Sequence, residues 1–382
     1  MINYSSQYID DQDIKSVIKT LKSKWLTTGP EIEKFELEIK KKVNSKYCTV
    51  VNSATSALHL ACRALGVTKG DNVWTSSNTF VASANCALLC GAKIDLIDIE
   101  LDDYNLDLNL LEKKLLYAKK INQLPKVIIP VHFSGNPCDL HNLKKLSKKF
   151  NFKIIEDASH ALGATYRNSK IGDCKFSDIT VFSFHPVRII TTGEGGAIST
   201  NNKKIDIKLK SLRSHGITKI YKNKKKILKQ KPWMFFQDDL GLNYRLTDIQ
   251  ASLGISQLKK LKNFIKIRNN IAQIYNNELK DLPLKLPNIP KKNSSTFHLY
   301  VVLLKKNNRD LLYKLLLKNG FKTNVHYIPI YKHPYFKKFN FLEKNFRNNE
   351  KYFKNAISLP IHPGLTKKNI FKIINVVKNF FN

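Results

Sequence analysis

The sequence lacks any long run of uncharged apolar residues. A membrane-spanning helix needs about 20 such residues in succession, and no stretch of the 382-residue chain approaches that length. The first residues, MINYSSQYIDDQD, also lack the basic and apolar regions of a secretory signal. The sequence therefore predicts a cytoplasmic protein without a membrane partner.

Closely spaced cysteine pairs are also missing. None of the six cysteines forms a C-x-x-C pair, so we expect buried free thiols rather than disulfides or a redox motif. His185, His215 and His326 lie on separate predicted elements, without the spacing of metal ligands on one helix. No metal site is predicted. The cysteines are Cys48, Cys62, Cys86, Cys90, Cys138 and Cys174.

Acidic residues are scarce relative to basic ones. The chain has 30 Asp and Glu against 65 Lys and Arg, which gives a formal charge of +35. So basic a balance can indicate nucleic-acid binding, but the lysines are scattered over nearly every predicted helix. No zinc-finger spacing or RNA-binding aromatic motif accompanies them. We therefore expect no nucleic-acid partner, while an anionic substrate such as a nucleotide diphosphate would be attracted.

The chain length and its periodicities predict two domains of different class. A chain of 382 residues exceeds the size at which one core usually stops growing. Short β-branched runs alternate with helical patterns, which is typical of a parallel sheet covered by helices. We predict an α/β fold with a large domain (1–255), built on a seven-stranded, mostly parallel sheet, and a small C-terminal α+β domain (256–382). The predicted strands are 47–51, 72–76, 93–99, 126–133, 152–159, 179–185 and 195–200.

Two segments at predicted strand ends carry residues suited to a ligand. NSATSALHLA begins a helix, where free backbone N–H groups and the hydroxyls of Thr55 and Ser56 suit a phosphate, although such residues are also common helix caps. In IIEDASHALGA, Asp157 ends a buried strand, and a carboxylate there can keep a pyridine nitrogen protonated. His160 could reach a ring substituent. Asp157 alone could equally cap a helix.

A third segment, VFSFHPVRIITTGEGGAIST, is the most specific in the chain. Gly193, Gly195 and Gly196 permit tight turns before the last predicted strand, and Ser183 could donate to a phosphate. A glycine cluster alone is commonplace. The specificity of this segment therefore comes from its whole sequence and not from the glycines alone.

Together these segments resemble the sugar aminotransferases of the DegT type, which are fold-type I pyridoxal-phosphate enzymes. The resemblance is strongest to members of pseudaminic acid synthesis, which transfer an amino group from glutamate to C4 of a UDP-4-keto-6-deoxy-N-acetyl-hexosamine. It implies pyridoxal 5′-phosphate as cofactor, a UDP-sugar and glutamate as substrates, and a homodimer with shared active sites. The matching strings are, in order, WLTTGPEIEKFE, NSATSAL, EDASHALGA, TTGEGGA, RSHG, NYRLTDIQASLGISQL and VHYIPI.

The resemblance also implies roles for single residues. Asp157 would contact the ring nitrogen, His160 the ring hydroxyl, and Phe80 would stack on the ring. The implied phosphate ligands are Thr55, Ser56, Ser183 and, reaching the site of the other protomer, Asn243. The residues implied to hold the sugar nucleotide are Tyr4, Trp25, Leu26, Thr27, Thr28, Val325, His326, Tyr327 and Ile328.

The match breaks at one residue of the reacting centre. The family reads SFHPVK where this chain reads SFHPVR, so Arg188 stands at the Schiff-base lysine position. A guanidinium has a pKa above about 12, so it forms no ordinary Schiff base and cannot act as a general base. We predict severely reduced transamination. Three hypotheses stay open: an aminotransferase in which another group serves or a single residue has changed, an impaired cofactor-binding pseudoenzyme, and a pyridoxamine-phosphate-dependent sugar dehydratase, for which the family has a histidine precedent.

Overall fold

The computed structural model describes residues 1–218, 231, 233–306 and 308–381. The strands are β1 Ile2–Asn3, β2 Tyr47–Val51, β3 Asn72–Ser76, β4 Lys93–Ile97, β5 Val127–Ile129, β6 Lys153–Asp157, β7 Thr165–Tyr166, β8 Ser169–Lys170, β9 Ile179–Ser183, β10 Gly196–Thr200, β11 Ile217–Thr218, β12 Phe236–Gln237, β13 Leu284–Lys285, β14 Asn293–Ser294, β15 Tyr300–Leu304, β16 Phe321–Lys322 and β17 Ala356–Leu359. The helices are α1 Asp11–Leu21, α2 Pro30–Val43, α3 Ala54–Ala64, α4 Ala82–Leu89, α5 Leu108–Lys120, α6 Leu140–Phe150, α7 Lys203–Leu212, α8 Asp248–Leu279, α9 Arg309–Lys318, α10 Arg347–Asn355 and α11 Lys367–Phe381.

The central sheet contains all seven strands that the sequence predicts, in the order β2-β10-β9-β6-β5-β3-β4. β10 runs antiparallel to both of its neighbours, and the other pairs are parallel. The predicted α/β class is confirmed. β5 is shorter than the predicted strand 126–133 because Pro130 has no backbone N–H with which to continue the ladder.

The parallel direction of β6 and β9 brings two predicted site residues to one edge of the sheet. Asp157 ends β6 and Ser183 ends β9, and these strands pair with Asp157 opposite Val181. β10 returns antiparallel to β9 and places Gly196 opposite Ser183. The carboxyl edge of the sheet therefore gathers the ends of separate segments, as ligand sites in open α/β sheets require.

A three-stranded antiparallel sheet, β13-β15-β17, forms the C-terminal part together with α9 and α11. The helix α8 contacts α1 and α2 near its start, and its later residues Ile271, Tyr275 and Leu279 join the C-terminal core. The predicted domain boundary, between residues 255 and 256, falls inside α8. The division into 1–255 and 256–382 stays a prediction.

The first residues of the chain cross to the C-terminal part. β1 pairs in parallel with β16, and the backbone N–H of Ile361 donates to the carbonyl of Tyr4 at 2.9 Å. These contacts hold Tyr4 beside the carboxyl edge of the central sheet, where it lines a cavity.

Candidate active site

A cavity of about 490 Å³ opens where β6 and β9 end. The start of α3 forms one side, and Tyr4 and Tyr327 close it from outside the central sheet. Asp157, at the end of β6, lies at its wall and is almost fully buried. Residues from distant parts of the sequence thus meet in one concave space.

Three donors fix the Asp157 carboxylate. The Ser83 hydroxyl on α4 donates to Oδ2 at 2.7 Å, and Ser159 donates to Oδ1 through its backbone N–H at 3.1 Å and its hydroxyl at 2.6 Å. A buried carboxylate held by neutral donors keeps lone-pair capacity for a further donor from a ligand. Asp157 therefore presents a fixed acceptor to the cavity.

The start of α3 lies very close to β10. Ser53 caps the helix, its hydroxyl accepting from the Ser56 backbone N–H at 3.1 Å, while the Ser56 hydroxyl donates to Asn52 at 2.6 Å. A β-carbon on Gly196 would lie 2.7 Å from the Ser53 carbonyl group and 2.8 Å from the Ala54 nitrogen. The first N–H groups of a helix have no partner within it and attract anions. This end of the cavity suits a phosphate.

Gly196→Ala is expected to weaken the binding of inorganic phosphate and to destabilise the protein. The added methyl group has to displace the Ser53 backbone, and overpacking of this kind typically costs about 1–3 kcal/mol. Thermal unfolding and phosphate titration measure the two effects. The control is Gly320→Ala, which carries the backbone strain of a positive φ (+84°) but meets no atom within 4 Å. Equal phosphate affinity in both variants would contradict the proposed role of this close approach.

His160 is a neutral imidazole with a defined tautomer. Its Nδ1 accepts the backbone N–H of Ser134 at 3.2 Å, so Nε2 carries the proton and donates to the Tyr327 hydroxyl at 3.1 Å. Burial, reinforced by the charge of Arg188, lowers the pKa of His160 well below its usual value. His160 therefore serves as a hydrogen-bond donor near neutral pH.

The Arg188 side chain bonds to a histidine that sequence reasoning missed. Its Nη1 donates to His298 Nε2 at 2.7 Å. Because a guanidinium only donates, His298 must accept at Nε2 and carry its proton on Nδ1. Burial, with the neighbouring His160 and Arg188, lowers the pKa of His298 well below its usual value. The rings of His298 and His160 lie 4.3 Å apart.

A further group of side chains meets at the outer wall. The ring of His326 packs 4.8 Å from that of Tyr4, and its Nδ1 lies 2.8 Å from the Ser358 hydroxyl. Burial lowers the pKa of His326 to about 3. The backbone N–H of Tyr327 donates to Asn78 at 3.1 Å, which fixes the wall beside His160.

The buried neutral histidines predict a loss of stability in mild acid. The folded-state pKa of His298 is lowered, so only the unfolded chain takes up its proton as the pH falls through about 6.5. The stabilisation is complete above this pH and is lost below it. Between pH 7.5 and 5.5 each such histidine costs about 1.4 kcal/mol. Urea unfolding at both pH values should therefore show a smaller loss for His298→Gln than for the wild type, whereas equal losses would contradict the assignment of a neutral His298.

Comparison with known proteins gives the chain a family. The model of the DegT/DnrJ/EryC1/StrS aminotransferase family matches residues 7–378. The chain belongs to this family. It is 39% identical to the UDP-4-amino-4,6-dideoxy-N-acetyl-beta-L-altrosamine transaminase of Campylobacter jejuni, and the match covers 99% of both chains.

Solved structures of this aminotransferase family share the fold. Helicobacter pylori PseC, an aminotransferase involved in the biosynthesis of pseudoaminic acid, superposes with a TM-score of 0.90 at 33% identity, covering 100% of this chain and 99% of PseC. The PLP form of the putative sugar aminotransferase Spr1654 from Streptococcus pneumoniae gives 0.88 at 29% identity, covering 98% and 97%. The predicted fold-type I class is therefore confirmed.

The structure gathers many of the residues that the DegT-type resemblance singled out, but not all. Those lining the cavity are Tyr4, Thr55, Phe80, Asp157, His160, Ser183, Arg188, His326 and Tyr327. Ser56, in the first turn of α3, is buried and does not line the cavity, and Asn243 is exposed. Trp25, Leu26, Thr27 and Thr28 form an exposed stretch, and Thr28 lines a separate cavity of about 470 Å³. Val325 and Ile328 flank the wall without lining the cavity.

Sequence reasoning missed three residues of this aminotransferase site. Ser83 lies in an apolar helix and Ser159 next to Asp157, where a hydroxyl gives no distinct signal. His298 precedes β15 and is 110 residues from Arg188. Only the spacing of Ser159, two residues after Asp157, is typical of a local side-chain hydrogen bond and could have been found.

Other ligand classes find little support in the described residues. Within residues 1–218, 231, 233–306 and 308–381, no group of three or more His, Cys, Asp or Glu is arranged to hold a metal ion. In the same part of the chain, no helix combines the length and apolarity needed to cross a membrane. The six cysteines are free thiols, and five of them are buried as the sequence predicts, whereas Cys90 is only half-buried.

Proposed function

We propose that the chain is a pyridoxal-phosphate-dependent aminotransferase that transfers the amino group of glutamate to C4 of a UDP-4-keto-6-deoxy-N-acetyl-hexosamine. The family assignment supports the aminotransferase class, and the activity for which the Campylobacter relative is named supports the sugar. The observation that carries the proposal is Asp157, buried and held by three donors, in one cavity with the start of α3. A phosphate and a protonated pyridine are the two groups that this pair suits.

The residues at hand fit the cofactor. Thr55, Ser183 and the free N–H groups of α3 would hold its phosphate. Gly196 has no side chain, so β10 can pass close to the start of α3 at this end of the cavity. Asp157 would hold the ring nitrogen in its protonated form, and His160 would donate to the ring hydroxyl. When bound, the cofactor supplies an electron sink for the carbon that loses its proton. Phe80, which is 51% exposed at the cavity wall, would cover the ring face.

Ser56 fits the phosphate site only if its hydroxyl changes its hydrogen-bond partner. Its hydroxyl already donates to Asn52 at 2.6 Å, and its backbone N–H donates to Ser53. A role at the phosphate requires the hydroxyl to exchange Asn52 for the ligand. We propose that exchange for Ser56, because Asn52 lies near the surface where water can replace it.

The sugar nucleotide would enter along the outer wall. Tyr4, His326 and Tyr327 line the cavity there, and Val325 and Ile328 flank them. The exposed stretch Trp25 to Thr28 does not reach this cavity within one chain, so its proposed role requires a second copy of the chain. The formal charge of +35 favours the approach of a diphosphate.

A homodimer with shared sites is part of the proposal. Asn243 is exposed and lies outside the cavity of its own chain, as a residue that serves a neighbouring site would. Analytical ultracentrifugation at micromolar concentration tests the dimer directly. A cytoplasmic location is proposed as well, because free thiols at all six cysteines suit a reducing compartment.

Arg188 affects the expected rate of amination, not the assignment of the chain to the aminotransferases. The named relatives are transaminases and sugar aminotransferases, which favours this reading over the dehydratase and the pseudoenzyme. The arginine can neither form the Schiff base nor act as the general base, so we expect slow amination by the chain as it stands. Glutamate-dependent formation of 2-oxoglutarate in the presence of the UDP-4-keto sugar tests the function. Turnover that needs no amino donor would instead support the dehydratase.

A further inference from the structure

Arg188 is a cation without a counter-ion. In the part of the chain that the structure describes, no Asp or Glu lies within 4.0 Å of its guanidinium, whereas Arg63, Arg213 and Arg309 each have an acidic partner. Arg188 is half-buried, and its Nε is buried without a hydrogen-bond partner. A charge withdrawn from water and left unpaired is costly, so a ligand anion would be bound strongly here.

The groups in contact with the guanidinium do not cancel its charge, and the two carboxylates that line the same cavity, those of Asp157 and Glu194, form no ion pair with it in the described structure. His298, the acceptor for Nη1, is neutral, and His160 and His326 have lowered pKa values. Tyr4 is also a neutral phenol, since burial raises its pKa. Among the described residues that line the cavity, Arg188 is the one Lys or Arg.

The direction of the guanidinium is set by a buried framework. Its Nη1 bonds to His298 at 2.7 Å. The backbone of His298 is held in turn by the fully buried Arg268 of α8, which donates to the His298 carbonyl at 3.3 Å and to the Ile361 carbonyl at 2.7 Å. The Nδ1 of His298 has no partner among the described residues, so no competing acceptor or donor turns the ring.

We infer that Arg188 binds a carboxylate of the amino donor and that His298 is the residue that positions its guanidinium for this. The identification of the carboxylate as that of the amino donor rests on the proposed function. The planar guanidinium pairs with a carboxylate through two parallel hydrogen bonds, which a lysine cannot offer. The start of α3 already supplies a separate place for the cofactor phosphate, and the two parallel donors of Arg188 match the two oxygens of a carboxylate, so we assign the carboxylate to Arg188 rather than the diphosphate of the sugar nucleotide.

The test is the binding of 2-oxoglutarate to the protein saturated with pyridoxal phosphate. Both compounds are carbonyls, so no amino group can be transferred and calorimetry reports binding alone. A hydrogen bond to a charged group contributes about 1.5–3 kcal/mol, so Arg188→Gln should weaken the Kd by about 10- to 150-fold. The matched control, Arg167→Gln, removes the same charge from an exposed turn and should change the Kd less than threefold. Unchanged affinity in Arg188→Gln would overturn the inference.

A second titration separates the two anion sources. Inorganic phosphate added to the cofactor-free protein should bind equally well to the wild type and to Arg188→Gln, because its expected place is the start of α3. If Arg188→Gln weakens phosphate and leaves 2-oxoglutarate unchanged, the guanidinium belongs to the phosphate site and the inference fails. Its failure would leave the aminotransferase proposal intact, since that is decided by amination assays.

The role of His298 has its own pair of variants. His298→Gln keeps an acceptor oxygen for Arg188 and should hold the 2-oxoglutarate Kd within about threefold of the wild type. His298→Phe removes the acceptor and should weaken binding by about 5- to 10-fold, about the loss of one net hydrogen bond. Thermal unfolding checks that both variants fold. Equal losses in the two variants, or none in either, would overturn the positioning role.

Discussion

Arg188→Lys is expected to raise glutamate-dependent amination by at least about 10²-fold. Positioned acid-base help alone is typically worth about 10²–10⁴-fold, and the amine also restores the covalent anchor for the cofactor. The rest of the cavity is in place for a lysine, since Asp157 is held by three donors and His160 has one tautomer. The kcat of wild type and variant, measured with the UDP-4-keto sugar, gives the ratio.

A chemical trap checks the same substitution independently of turnover. Borohydride reduction should fix pyridoxal phosphate covalently on the Arg188→Lys chain and not on the wild type, as read by intact mass. Arg188→Gln, which has neither charge nor amine, should be no more active than the wild type and should not be trapped. A lysine variant that binds no cofactor and remains inert would refute the aminotransferase proposal. Equally fast turnover by wild type and variant would refute our interpretation of the arginine.

Asp157→Asn in the Arg188→Lys background is expected to lower kcat by about 10²–10³-fold. Loss of one preorganised electrostatic partner at a reacting group commonly has this effect, and an amide cannot keep a pyridine nitrogen protonated. Asparagine has nearly the same shape, so the contacts of Ser83 and Ser159 need only modest rearrangement. The assay compares kcat at saturating glutamate.

Ser159→Ala is the matched control for Asp157→Asn. It removes one donor, the Ser159 hydroxyl, but leaves the carboxylate, the Ser159 backbone N–H and the Ser83 hydrogen bond, so its effect on kcat should be about tenfold or less. Thermal unfolding shows whether each variant folds. If Asp157→Asn retains more than a third of the parent's kcat, the proposed contact with the ring nitrogen is wrong.

The strands were predictable because parallel strands are buried on both faces and therefore appear as short apolar runs. Residues 179–183 (ITVFS) stand out in this way, whereas 153–157 (KIIED) has only the apolar pair Ile154 and Ile155, and the ends of these strands located Asp157 and Ser183 at one edge. The antiparallel direction of β10 was not predictable from its own composition, since direction depends on which strands it joins. The predicted boundary between residues 255 and 256 falls within the continuous helix α8, because the sequence has no Pro- or Gly-rich break at the point where one part of the chain gives way to the next.

The residues of the site also fall into those that the local sequence could identify and those that it could not. Residues in strings with small or glycine neighbours, such as Thr55 and Gly196, could be identified because the local backbone requires them. His298 could not, because its function depends on a contact with Arg188 across 110 residues. Trp25 and Asn243 could be assigned only by resemblance, and their roles stay predictions because they lie outside the cavity of their own chain.

The length of α8 has a mechanical consequence. Its 32 residues extend over about 48 Å, and its backbone hydrogen bonds run unbroken from the contacts with α1 and α2 to the C-terminal core. A hinge between the part that contains the central sheet and the C-terminal part would have to bend helix α8 near its middle. Movement that admits a substrate is therefore expected in short segments at the cavity mouth, such as the one that carries Phe80, while the distance between Asp157 and His298 stays constant.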